Sequence, residues 1–230
     1  MECIIRTPRY EAVAPSNKTV FIVLPTIDST SDADPGRAPT NTVPTRDAQG
    51  LVNYYEPAEQ MIERMWREKL GRYLYDHVVK EDMAQQGIRR TRSNPDKVYL
   101  ANFPPHYKLW VHKKGHPHDP RKDHYLYGSP YVAQFRSPME FCLHLKWLLE
   151  GQAMKENGKP DCRCCYCDGT VTQGEISSKL GTYHPHRRDK DRKDKDKDRD
   201  GKPPKPRARQ APSTEIRFKD YTKLNPASAA

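Results

Sequence analysis

The composition of this 230-residue chain is too polar for a chain that folds from end to end. Hydrophobic residues make up 35% and charged residues 30% of it, and the mean hydropathy is −1.00, whereas an ordinary globular chain is about 45–50% apolar. We therefore expect one small domain of about 100 residues with disordered flanks. This apolar content excludes a large two-domain enzyme. We also expect neither a membrane span, because no apolar run is long enough, nor a signal peptide.

The positive charge of the chain is concentrated near its C-terminus. The formal net charge is +10, and residues 187–209 alone hold 12 Lys or Arg against six Asp. Such a balance suits a polyanionic partner, although it is also typical of a solvated tail that binds nothing. The stretch Lys202–Arg209 has the composition that nuclear importers bind. We therefore expect residues 169–230 to form a disordered, basic and mixed-charge tail.

The N-terminal region, residues 1–56, is predicted to be mostly disordered with one short strand. The strand-like run is Thr19–Leu24, which Pro25 stops. Residues 25–50 are rich in Pro, Ser, Thr and Asp, a composition typical of linkers.

Residues 57–97 are predicted to form an amphipathic helix and a basic connector. Pro57 suits a first helical turn, and Gly87 suits a C-terminal cap. Apolar residues recur between them at steps of three and four: Met61, Ile62, Met65, Trp66, Leu70, Tyr73, Leu74 and Val78. We expect this stripe to pack against a core, with a partner-binding helix as the alternative.

Residues 98–168 are predicted to be the compact part of the chain. Alternation of polar and apolar residues indicates strands at His106–His112, Asp123–Tyr127 and Tyr131–Phe135, with a basic loop at Lys113–Lys122. Ser137 begins a helix, because Pro138 and Glu140 complete a capping-box pattern. The fold class that follows is α+β, a small antiparallel sheet with one packed helix.

The compact part also resembles a known family. The motifs that carry the resemblance are FPPHYKLW at 103–110, RKDHYLYGSP at 121–130, FRSPMEF at 135–141, HLKWL at 144–148 and the Cys cluster. Together they resemble the N-terminal module of fungal transcription-silencing proteins called cryptic loci regulators, itself similar to the methyl-CpG-binding domain. The resemblance implies a methyl-CpG-domain-like fold in a nuclear, heterochromatin-linked protein. It also implies a repressor assembly with a remodeller and a histone deacetylase as partners.

Seven residues of this module are candidates for DNA contact: Lys113, Lys114, Arg121, Lys122, Asp123, Tyr125 and Arg136. Cations along a loop neutralise phosphates, and an arginine fork recognises guanine. The resemblance places Arg136 where the second guanine-reading arginine of methyl-CpG domains lies, with Asp123 to orient it. The first arginine is replaced in His112-Lys113-Lys114, so we expect backbone contact rather than recognition of methylated cytosine. A solvated loop with a structural Arg136–Asp123 ion pair is the alternative.

The Cys cluster at 162–167 predicts a structural zinc site, because zinc prefers four soft ligands in a tetrahedron. Cys162, Cys164 and Cys167 supply three ligands, and His144 is our first choice for the fourth. Cys165, His184 and His186 are alternatives, as are a metal-free or a redox-active cluster. Of the remaining two Cys residues, Cys142 is expected to be buried and Cys3 to be an incidental thiol. We expect no disulfides, since the compartment is predicted to be reducing.

The sequence contains no H-E-x-x-H motif, no G-x-S-x-G motif, no P-loop and no Gly-rich dinucleotide-binding turn. The predicted function is that of a non-enzymatic nuclear protein, which contributes to heterochromatin formation and transcriptional silencing. It would bind DNA or chromatin, with no membrane and no small-molecule substrate. The alternative is a protein-interaction scaffold of a histone-deacetylase complex without direct DNA binding. A role in RNA processing would depend on the charged tail alone.

Overall fold

A computed structural model describes residues 2–16, 18–26, 30–88 and 94–180, and it confirms the α+β class. The elements are β1 (Glu2–Arg6), β2 (Glu11–Ser16), β3 (Thr19–Val23), a 3-10 turn (Pro35–Arg37), β4 (Val52–Pro57), α1 (Gln60–Leu74), a π-helical segment (Tyr75–Val79), α2 (Lys80–Gln85), β5 (Lys97–Leu100), β6 (Lys108–Gly115), β7 (Arg121–Tyr127), α3 (Pro138–Leu149) and α4 (Gln173–Lys179). Among the described residues, no helix is long and apolar enough to cross a membrane.

The N-terminal region contributes four strands, so the prediction of one strand in a mostly disordered region was wrong. β1, β2 and β3 pair antiparallel, and β3 pairs in parallel with β5, which gives the sheet order β1-β2-β3-β5. Ala12, Val20 and Ile22 are fully buried. The two missed strands of this sheet have only five and six residues, and they bury their apolar faces only because a distant strand, β5, and a helix complete the core.

Helix α1 packs on this sheet through Gly71. A Cβ at this position would lie 2.5 Å from the Leu100 backbone nitrogen, so only glycine allows this close approach. Trp66 and Leu70 are buried, as the stripe predicted, but Met61 and Met65 are 65% and 49% exposed. At 100° per residue, both methionines lie off the line that faces the sheet, and this part of the prediction was wrong.

The second sheet is antiparallel, with the order β4-β6-β7. The predicted loop is shorter than expected, because β6 continues to Gly115 and β7 begins at Arg121. The predicted third strand at 131–135 is also wrong: Phe135 makes a single bridge to Leu126. The third strand is instead β4, which comes from the region predicted to be disordered.

Helix α3 joins this sheet to the rest of the core. Ser137 caps it by accepting a hydrogen bond from the Glu140 backbone nitrogen, as predicted. Phe141 on α3 packs against the rings of Tyr107 and Phe135, each with a centroid distance of 4.9 Å. One hydrophobic core includes residues of both sheets and of α1 and α3.

The segment before β4 is ordered by polar contacts, although residues 25–50 were predicted to be disordered. Ser31 Oγ donates to Pro105 O at 2.7 Å, Asp34 N to Gly128 O at 2.9 Å, and an Arg37 guanidinium nitrogen to Pro130 O at 2.7 Å. Hydrogen bonds of this kind leave no apolar periodicity in the sequence, which is why the prediction failed.

The predicted tail also contains structure at its start. Helix α4 begins after Thr172, whose side chain forms a capping box with Glu175. Residues 181–230 lie outside the described residues, and with them the candidate ligands His184 and His186 and the predicted importer stretch Lys202–Arg209.

Candidate metal centre and basic hairpin

His144, on helix α3, lies close to three cysteines of the turn that follows this helix in the chain: Cys162, Cys164 and Cys167. Each of the four offers one ligand atom, and these atoms all lie within 4.8 Å of one another. The imidazole Nδ1 lies 3.5 Å from the Sγ of Cys162, 4.0 Å from that of Cys164 and 3.6 Å from that of Cys167. The structure therefore brings together the four residues that the sequence analysis selected, and we call them the metal centre.

The cysteine turn is shaped by its own backbone. The amide of Cys164 donates to the Cys162 sulfur and the amide of Cys167 to the Cys164 sulfur, both at 3.4 Å. The alternative ligand Cys165 is not among the four residues of the metal centre. It is half-buried, and burial raises the pKa of its thiol to about 11.

The distances between these ligand atoms fit a four-coordinate ion. Zinc bonds of about 2.3 Å to sulfur and about 2.0 Å to nitrogen place tetrahedral ligand atoms about 3.5–3.8 Å apart. The separations from Nδ1 to the three sulfurs are close to this range. Three cysteines and one histidine are a soft donor set of the kind found in structural sites.

The other side of the His144 ring is held by Asp32, a residue that sequence reasoning missed. Nε2 of His144 lies 3.2 Å from Asp32 Oδ2 and 3.1 Å from the Tyr107 hydroxyl oxygen. Tyr107 and Ser129 donate to the Asp32 carboxylate at 2.6 and 2.8 Å, and the Asp32 side chain is only 5% exposed. Nothing in the local sequence distinguishes Asp32 from its neighbour Asp34, so no signal was available.

These contacts shift the pKa values of the groups in the metal centre. Burial disfavours the charged form of His144, but hydrogen bonds with Asp32, Cys164 and Cys167 raise the pKa of the imidazole. Burial likewise disfavours the Asp32 carboxylate, and hydrogen bonds from His144, Tyr107 and Ser129 lower its pKa. Hydrogen bonds from neighbouring thiols lower the pKa of Cys164. The same hydrogen bonds between sulfurs raise the pKa of Cys162, so this geometry favours one thiolate, that of Cys164, over the thiolate of Cys162.

The four predicted cations lie on paired strands rather than in a loop, and we call them the basic hairpin. Lys113 pairs with Lys122 across the two strands, and Lys114 pairs with Arg121. Lys113 forms an ion pair with Glu56 and lies over the Tyr54 ring. Like charges directly opposite each other destabilise a sheet. A nearby anion would therefore stabilise these two successive pairs of cations.

An aromatic face lies beside the basic hairpin. Strand alternation and register place its five rings on the side of the sheet that carries Lys114 and Arg121. They are Tyr55, Trp110, His112, Tyr125 and Tyr127. Tyr55 stacks on His112 at 4.3 Å, and the Lys108 ammonium lies 4.8 Å from the centre of the Trp110 ring. Tyr55 was missed because β4 was not predicted.

Arg136 has other partners than the predicted Asp123. Its Nε lies 3.3 Å from the Tyr166 hydroxyl and 3.5 Å from a Glu140 carboxylate oxygen, and Tyr166 donates to Glu140 at 2.7 Å. Asp123 instead accepts from Arg121, with Nε–Oδ2 at 2.8 Å. The reason is proximity: Glu140 lies one helical turn from Arg136, and Asp123 lies on the same face of β7 as Arg121.

Comparison with known proteins shows what this module is similar to. Residues 98–167 match the family described as transcription-silencing protein, cryptic loci regulator Clr2. Cryptic loci regulator 2 of Schizosaccharomyces pombe is 30% identical over 79 residues, which are 34% of this chain and 14% of that protein. A solved structure described as Clr2 bound to the Clr1 C-terminus matches with a TM-score of 0.42 and 23% identity, over 64% of this chain and 31% of the solved chain.

The family match covers the same motifs that carried the resemblance in the sequence. It extends from β5 to the last cysteine of the metal centre, whereas β4 and Asp32 lie before it. The chain spans only a small part of the curated relative's length. The resemblance to the cryptic loci regulators is confirmed: residues 98–167 are a Clr2-like transcription-silencing module.

Proposed function

We propose that this chain is a non-enzymatic nuclear chromatin protein that contributes to heterochromatin formation and transcriptional silencing, and that it binds DNA mainly through backbone contacts from the basic hairpin. The silencing role is supported by the Clr2-like module. The observation that carries DNA binding is the two successive cross-strand pairs of cations, Lys113 with Lys122 and Lys114 with Arg121.

The charges around these pairs leave an excess of cations on the hairpin. Glu56 compensates Lys113, and Asp123 compensates Arg121. Lys114 and Lys122 are exposed. DNA carries one phosphate charge per ~1.7 Å of helix axis, and a duplex at the end of the hairpin would bring phosphates toward Lys114 and Lys122, which lie on opposite faces of the two strands. Backbone contact of this kind does not require a sequence preference.

The remaining candidate residues for DNA contact are Arg136, Tyr125 and Asp123. Arg136 is 64% exposed, and Tyr166 and Glu140 limit the freedom of its guanidinium, so it is available for a base or a phosphate. Tyr125 lies on the same strand face as Asp123 and offers a ring to the DNA. In this arrangement Asp123 would position Arg121 rather than Arg136.

We further propose that the metal centre holds a structural zinc ion. His144 and the three cysteines supply four protein ligands, which close the coordination sphere and leave no position for a substrate or a reactive water. The ion would fasten the cysteine turn to helix α3, and through Tyr166 it would help to hold Arg136 in place.

DNA binding is tested by measuring the affinity of the zinc-loaded chain for methylated and unmethylated CpG duplexes across a salt series. We expect affinity that falls steeply with salt and does not depend on methylation. The double variant Lys114→Glu/Lys122→Glu should reduce the slope of log affinity against log salt by about 2. The control variant Lys159→Glu/Lys179→Glu changes the same net charge at exposed positions away from the hairpin. Equal loss in both variants, or no binding by the parent chain at low salt, would refute the proposal.

A second candidate function is that of a scaffold in a histone-deacetylase complex, and the exposed Met61 and Met65 on α1 favour it. Exposed methionines are typical of adaptable protein-binding surfaces. Replacing both by Ser should abolish binding of a partner protein and leave DNA affinity unchanged. A segment related to the Clr1 C-terminus is the first partner to test. A loss of DNA binding with partner binding intact would contradict the scaffold function.

A further inference from the structure

We infer that Asp32 is the outer-sphere carboxylate of the metal centre, and that metal binding thereby fastens residues 31–37 to the silencing module. This inference rests on the proposed zinc ion. Asp32 is a positioning residue, because it acts through His144 and does not belong to the four ligands.

The first step is the orientation of the imidazole. Nδ1 of His144 faces the three sulfurs, and Nε2 faces Asp32 and Tyr107. Tyr107 donates its hydroxyl proton to Asp32 Oδ1, so its oxygen is left to accept a hydrogen bond. A proton on Nε2 therefore has two acceptors, the Tyr107 oxygen and Asp32 Oδ2. This fixes the tautomer in which the Nδ1 lone pair is free to bind a metal.

The second step is the isolation of this network from water. His144 and Ser129 are fully buried, and the Asp32 side chain is 5% exposed. Each carboxylate oxygen of Asp32 has a protein donor, Tyr107 on Oδ1 and Ser129 on Oδ2. Water therefore has little access to take the place of Asp32, and the His144 ring depends on this one carboxylate for its orientation.

The third step is the connection of the segment around Asp32 to the silencing module. Hydrogen bonds from Ser31, Asp34 and Arg37 to the module backbone flank Asp32 on both sides. Only Ala33 within residues 31–37 packs against the hydrophobic core. The segment then leads into β4, whose Tyr55 amide donates to Asn41 O at 2.8 Å.

The attachment of this segment is thus almost entirely polar, and Asp32 is its most buried polar contact. Losing the metal would release the His144 ring from the sulfurs, and the donors around Asp32 would lose their fixed geometry. We therefore expect the segment 31–37 to loosen when the metal is removed, whereas β4 stays paired with β6 along its whole length. Both lie before the residues that match the family.

The test uses the full chain and zinc itself. Zinc affinity is measured by competition with a chelator. Hydrogen exchange is followed with and without zinc at the amides of residues 31–37 other than Pro35, and the amides of residues 52–56 in β4 serve as the internal reference. Asp32→Asn keeps the shape of the side chain but removes its charge, and it should weaken zinc binding by about 10–100-fold. The control Asp34→Asn alters an exposed carboxylate that caps Gly36 at 2.8 Å, and it should bind zinc as the parent chain does.

The outcomes separate the inference from the proposed zinc ion. If the parent chain binds no zinc, the proposed metal centre fails and the inference fails with it. If the parent chain binds zinc and Asp32→Asn binds it equally well, only the inference is overturned. If Asp32→Asn does not fold, Ser129→Ala removes one donor to Asp32 and should weaken zinc binding by a smaller factor. Exchange at residues 31–37 that does not respond to zinc in the parent chain would also overturn the inference.

Discussion

The metal centre and the basic hairpin differ in how their charged groups are placed: those at the metal centre are buried and paired, and those of the hairpin are mostly exposed and lie opposite like charges. At the metal centre, His144 is buried, and so is the side chain of Asp32 behind it, whose two carboxylate oxygens each have a hydrogen-bond donor. In the basic hairpin, Lys114 and Lys122 are exposed, and cations lie opposite cations. Burial makes an unpaired charge too costly to keep, whereas water screens the repulsion within the hairpin. The metal centre is therefore suited to stabilising the fold, and the basic hairpin is suited to binding a negatively charged partner.

The largest effect is expected from removing one ligand of the metal centre. Cys164→Ser should abolish zinc binding and lower the free energy of unfolding by at least about 4 kcal/mol, because the loss of a structural metal is among the most destabilising changes. Metal analysis and thermal unfolding measure the two quantities. Cys165→Ser is the matched control, since it alters the adjacent cysteine of the same turn and should retain the metal. Two variants of equal stability would show that no ion supports this turn.

A smaller effect is expected at Tyr166, which precedes Cys167 of the metal centre in the chain and contacts Arg136. Tyr166→Phe removes the hydroxyl that links Arg136 to Glu140, and the loss of such hydrogen bonds costs about 1 kcal/mol of stability. DNA affinity should fall by roughly threefold to tenfold, because Arg136 is no longer held.

A double-mutant cycle shows whether this effect depends on Arg136. In an Arg136→Ala background, Tyr166→Phe should cause no further loss of DNA affinity. Tyr131→Phe is a suitable control, because it removes a hydroxyl from a half-exposed ring that contacts Trp147 instead. Additive losses in the double variant would separate the metal centre from the DNA surface.

The smallest effect concerns pH. Burial lowers the pKa values of His77, His112 and His124, so the unfolded chain binds more protons than the folded chain near pH 6. The stability of the zinc-loaded protein should therefore fall as pH decreases from 7.5 through the usual pKa of histidine to the lowered values. Thermal midpoints at several pH values measure this slope, and His112→Gln should make it shallower. A midpoint that rises on acidification would contradict the assigned directions.

Much of the fold that matches the family was predictable from short-range pattern. Ser137 and Glu140 marked the start of α3, and the alternation at Leu109 and Val111 marked β6. The spacing of the cysteines indicated a metal site, and the structure brings the chosen His144 to it. These features depend on neighbours within one turn or one strand, where sequence and geometry are directly linked.

Other features were not predictable because they depend on distant partners. Strands β1, β2 and β4 are short, and they become strands only when another part of the chain pairs with them. The partner of Arg136 was assigned to Asp123 from the resemblance, and the structure assigns it to Glu140 and Tyr166.

The sequence by itself determined the α+β class, the capped helix α3, the four residues of the metal centre and the basic character of the hairpin. These properties follow from local periodicity, from capping chemistry and from the kinds of side chain that bind metals and phosphates. Only the tertiary structure decided that Asp32 lies behind His144 and that β4 completes the sheet with the hairpin. A hydrogen bond between residues far apart in the chain has no local pattern, because its geometry exists only after the core has brought the two residues together.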